Sequence, residues 1–127
     1  MKKILIGSIL LVCSPVSFAD QLAYITREQA EQTVAYFEYE NIKQVVLWCA
    51  CCENESKVKV FVTEVYMQPT YYKNYFQVYI RGVASDGQKI DLGVDLAYVH
   101  IKKKSKWYCL GKQLGFDCDP CTKPFKF

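Results

Sequence analysis

Apolar residues are spaced in three ways along the chain, and each spacing predicts a different element. Ile4 to Val12 is an apolar block broken only by Gly7 and Ser8. From Arg27 to about Glu40 the period is helical: Ala30, Val34 and Phe37 fall at i, i+4 and i+7, with Glu28, Glu31 and Gln32 off that stripe. Thr26 and Gln29 have the spacing of a capping box, and Asn41 supplies a C-terminal stop. From Ile42 to about Lys103 the period becomes two, and β-branched and aromatic residues dominate. Strands are predicted over about 42–52, 57–67, 75–84 and 89–103, with residues 107–110 able to pair once more.

Two hairpins follow from this pattern. Glu53-Asn54-Glu55-Ser56 reads as the loop of the first, which would set Leu47 opposite Val62, Cys49 opposite Val60 and Cys51 opposite Val58. In the second, a two-residue Asp-Gly turn would mix apolar and acidic residues on one face. A three-residue loop, Ser85-Asp86-Gly87, with Gly87 in the left-handed position, pairs Ile80 with Leu92, Val78 with Val94 and Phe76 with Leu96. Arg81 then meets Asp91, and Tyr79 lies across Gly93. Beyond Ala97 both faces turn apolar, so the last strand should bend or become covered there.

The expected class is α+β: one N-terminal helix packed on a curved antiparallel sheet of four to five strands, with a C-terminal tail stapled by disulfides. A short segment at Gln21 to Ile25, a long helix and four antiparallel strands resemble the element order of cystatin-like folds, in which a curved sheet wraps the helix. The glutamine-valine-glycine loop and proline-tryptophan hairpin of that family are missing from the corresponding turns. The resemblance therefore implies a topology and no protease inhibition.

The N-terminal block changes the charge balance. Lys2-Lys3, the short apolar core and Ser17-Phe18-Ala19 have the form of a secretory signal peptide over 1–19, leaving a single domain over 20–127. The apolar run is shorter than the ~20 residues that span a bilayer. Leu10-Leu11-Val12-Cys13 resembles a lipobox, except that Val12 stands where a small residue is usual, so lipid anchoring at Cys13 is a minor alternative to a periplasmic or extracellular soluble protein. Loss of Lys2 and Lys3 lowers the formal net charge from +3 to +1. A near-neutral chain has no electrostatic basis for binding nucleic acid.

Cysteine usage fits export. Of seven cysteines, Cys13 leaves with the leader, and Cys49, Cys51, Cys52, Cys109, Cys118 and Cys121 remain, an even number suited to disulfides. Cys49 and Cys51 share one side of a strand about 6.8 Å apart, and adjacent Cys51 and Cys52 leave opposite faces, so bonds within this cluster are disfavoured. Each of the three is expected to reach one of Cys109, Cys118 and Cys121, which leaves six pairings open.

Two other chemistries draw on the same cysteines. Cys118-Asp119-Pro120-Cys121 has the form of a thioredoxin-type redox centre, but the six residues after it are too few and too proline-interrupted for the helix that activates such a thiol. Zinc could take thiolates from both clusters, although Cys-x-Cys-Cys is not ordinary zinc spacing. His100 is the only histidine, which disfavours hydrolases built on a histidine base. No catalytic residue, resident metal or cofactor is expected.

The aromatic content points to recognition instead. All ten tyrosines lie beyond the leader, and Tyr71, Tyr72, Tyr75, Tyr79 and Arg81 form a candidate binding face for a protein partner. The expected function is a non-catalytic exported binding module, such as an inhibitor or immunity-type protein, with a small redox or zinc protein as the alternative.

Overall fold

Thr26 organises the start of the fold. Its hydroxyl accepts from the Gln29 amide at 3.1 Å, and Gln29 Oε1 accepts from the Thr26 amide at 2.9 Å, closing the expected capping box on α1 (Arg27–Tyr39). The helix stops at Asn41, whose φ of 54° is left-handed. There the amides of Asn41 and Ile42 turn back to the carbonyls of Glu38 and Phe37, at 3.2 and 3.0 Å. The computed structural model describes residues 23–49 and 56–116. The expected leader and cleavage point, Cys13, Cys51, Cys52, Cys118, Cys121 and the expected disulfide-stapled tail lie outside the described residues.

The buried stripe of α1 is Ala30, Thr33 and Phe37; Val34 is only partly buried. Thr33 can take the interior position because its hydroxyl donates to the Gln29 carbonyl at 2.8 Å, leaving no polar group unsatisfied there.

Six strands, more than the expected four to five, form one antiparallel sheet: β1 (Gln44–Cys49), β2 (Ser56–Pro69), β3 (Phe76–Ala84), β4 (Lys89–Val94), β5 (Val99–Lys103) and β6 (Lys106–Cys109), followed by the short α2 (Leu110–Gln113). Their spatial order is β4-β3-β2-β1-β5-β6. The extra strand arises because 89–103 is two strands, not one. Asp95 Oδ1 accepts from the Ala97 amide at 2.9 Å and starts a 3-10 turn at Leu96–Tyr98, whose Leu96 and Ala97 point into the interior. The chain thus leaves β4 at one edge and returns beside β1, so β1 to β4 form a meander that β5 and β6 extend at the β1 edge.

That crossover requires a curled sheet. Five residue steps from Val94 to Val99 reach at most roughly 18 Å, whereas four strand spacings along a flat sheet would need roughly 19 Å. Curling brings residues of β1 and β2 close to those of β4 across the concave side, where one groove touches Leu47, Val58, Leu92 and Val94. A bulge at Thr63 contributes to the bend: β2 shifts register between Val62 and Glu64, and the Thr63 hydroxyl donates to the Arg81 carbonyl at 3.0 Å.

The β3–β4 hairpin has the expected register, pairing Ile80 with Leu92, Val78 with Val94, Arg81 with Asp91 and Tyr79 with Gly93. Gly87 has φ 93°. Phe76, expected opposite Leu96, instead exchanges backbone bonds of 2.9 and 2.7 Å with Ile25. The first hairpin differs by four residues: Leu47 faces Val58 and Cys49 faces Ser56. Alternation fixed which side Leu47 takes but not its partner, because a shift by any even number preserves the faces.

The concave side and α1 enclose the core, built from Val45, Val60, Val78, Ile80, Val94, Val99 and Ile101 with Ala30 and Phe37 of the helix, and closed by Ile25, Ile42, Leu96 and Leu110. On the convex side Val46 and Trp48 form a second buried pair packed by Trp107. Among the described residues no helix is long and apolar enough to cross a membrane.

Candidate binding surface

The five residues expected to form one binding face divide into two groups. Tyr79 and Arg81 lie on the convex side of β3, within a network that spans three strands. Arg81 Nη1 donates to Glu64 Oε1 on β2 at 2.6 Å, while Nε and Nη2 both reach Asp91 Oδ2 on β4 at 3.2 Å. Tyr66 Oη donates to Asp91 Oδ1 at 2.6 Å, and its ring lies 4.9 Å under the Arg81 guanidinium. Tyr79 stacks on Tyr66 with centroids 5.4 Å apart. Bonding from Tyr66, helped by Arg81, holds the Asp91 carboxyl below its usual range; the same bond to Asp91 raises the Tyr66 phenol.

Tyr71, Tyr72 and Tyr75 lie apart from this network, at the tip of the β2–β3 hairpin. Thr70 builds the tip: its hydroxyl donates toward the Tyr75 carbonyl at 3.0 Å and accepts from the Tyr72 amide at 3.1 Å, with Asn74 at φ 70° completing the turn. The backbone of Thr70 also donates to Tyr75. The loop is therefore rigid while its rings face outward, Tyr71 being 98% exposed. Tyr71 meets Tyr72 edge-on at 5.9 Å, and Tyr72 tilts against Tyr24 at 5.5 Å. Tyr24 joins the cluster because the Ile25–Phe76 bridge carries the N-terminal segment to the hairpin base. Sequence spacing held no signal for that long-range neighbour.

Glu64 and Tyr66 were also missed as network members. The bulge at Thr63 reverses the side on which β2 residues project, so straight alternation from Val60 and Val62 would turn Glu64 and Tyr66 inward.

The cysteines offer no described constellation: among the described residues no group of three or more histidine, cysteine or acidic side chains could hold a metal. His100 lies on β5 opposite Cys109, its ring 5.4 Å from Trp48. On the far side of the sheet Lys103 Nζ donates to Tyr36 Oη at 2.8 Å and to Gln113 Oε1 at 3.2 Å, between the rings of Tyr36 and Tyr108. This raises the Lys103 pKa, chiefly through the bond to Tyr36, and ties α1 to β5 and α2. Comparison of the chain with protein-family models, with curated proteins and with solved structures finds no match.

Proposed function

We propose that the protein is an exported, disulfide-stabilised, non-catalytic binding module that engages a protein partner through the β2–β3 tip. The observation that carries this reading is the cluster in which Tyr72, on a loop fixed by Thr70, meets both Tyr71 of the same loop and Tyr24 of the N-terminal segment. Large rings already held in place give contact area with little further loss of side-chain freedom on binding. Tyr75 is exposed beside them. Arg81 has its donors committed to Glu64 and Asp91, so its role is to brace the convex face.

Export is supported by the leader-like N-terminus and by the even number of cysteines that follow it. The test is capture of a partner from the exported fraction on the mature protein, then titration calorimetry with variants. Tyr71→Ala and Tyr72→Ala should each weaken the complex about tenfold or more while leaving thermal unfolding nearly unchanged. Unaltered affinity in both variants would remove the tip from the interface.

A further inference from the structure

Among the described residues, the edge at β4 combines backbone without a strand partner and apolar exposure. Strand β4 ends the sheet, and among the described residues it has a neighbouring strand only on the β3 side. Its concave-side residues Leu92 and Val94 border a groove of about 250 Å³ that Leu47 and Val58 help to line, and helix α1 covers β2 and β3 rather than this end. Leu92 is 40% exposed and Val58 38%, although both belong to the side that elsewhere forms the core. An edge with unpaired amides and carbonyls beside uncovered apolar side chains is a template for another strand.

We propose that the strand it accepts is β4 of a second copy of this chain, paired antiparallel about a two-fold axis at Leu92. The sequence Lys89-Ile90-Asp91-Leu92-Gly93-Val94-Asp95 is self-complementary in that register. Leu92 meets Leu92 of the second copy, and Ile90 meets the second copy's Val94, so the apolar residues of both concave sides come together over the groove. On the convex side Asp91 comes opposite Gly93 of the second copy, which leaves the Arg81–Asp91 network intact, and Lys89 comes opposite an acid, the second copy's Asp95.

Neighbouring registers are worse. An axis at Asp91 would oppose two like charges, and one at Ile90 would set Leu92 against Gln88. A six-residue strand pair buries less than a standard protein interface, so the dimer is weak and concentration-dependent.

Sedimentation equilibrium of the mature protein from low micromolar to millimolar concentration tests this. The weight-average mass should rise toward twice the monomer, and Leu92→Lys, at an already exposed position, should hold it at the monomer with an unchanged circular dichroism spectrum. Hydrogen exchange on the parent supplies a measurement that needs no variant: β4 amides should exchange more slowly at high concentration than at low. A monomer at every concentration overturns the proposal, including one that binds a foreign extended peptide at β4. So does a dimer that survives Leu92→Lys or leaves β4 exchange unchanged.

Discussion

Gly82 and Gly87 are needed for different physical reasons, and the difference is measurable. Gly82 sits where β3 passes the bulge in β2; a Cβ there would collide with the carbonyl oxygen of Phe61 and lie 2.9 Å from Val60 Cγ1. Backbone of a paired strand cannot yield as a side-chain tip can. Gly87 has nothing within 4 Å of its would-be Cβ, and only its φ of 93° resists a side chain. In urea unfolding, Gly82→Ala should cost about 2 kcal/mol or more by overpacking, and Gly87→Val about 1 kcal/mol by backbone strain. Equal stability of Gly82→Ala and the parent would contradict the close β2–β3 approach. Gly87 was legible in the sequence because a turn residue acts on its own backbone. Gly82 was not, since its neighbour lies on another strand.

At the scale of elements, the Glu64, Tyr66, Arg81 and Asp91 network clamps β2, β3 and β4 on the convex side. Asp91 has a folded-state pKa below the ordinary value of 3.8, so its contribution is fully present above that value and is lost as pH falls through the lowered one. The stability difference between the parent and Asp91→Asn should therefore be constant near neutral pH and shrink in acid. A difference independent of pH down to full protonation of carboxylates would show that the ionised form is not what holds the strands. The pairing of Arg81 with Asp91 was readable because one hairpin with a diagnostic turn supplies both. The end of β4 was harder to read, because Asp95 continues the alternation while its carboxylate caps the turn at Leu96–Tyr98.

At the scale of the molecule, the six cysteines that follow the expected leader are proposed to join residues 49–52 to residues 109–121, tying the C-terminal part to the β1 end of the chain. Loops of roughly 60 residues closed this way would each stabilise by about 4 kcal/mol on the chain-entropy model. Peptide mapping under non-reducing conditions should return only such links, and a Cys118–Cys121 link would overturn the arrangement. Local chemistry alone was enough for the α+β class, the capping box at Thr26, the stop at Asn41, the Gly87 loop and the side taken by most strand residues. Each of these depends on the conformational preference of one residue or on a period along one segment. Strand order, the four-residue shift between β1 and β2, the inward place of Thr33 and the meeting of Tyr24 with Tyr72 came only with the assembled fold. These depend on how distant segments close around one core: alternation specifies a face but leaves the partner open, and the curled sheet selects the pairing that buries Leu96, Ile101 and Leu110 together.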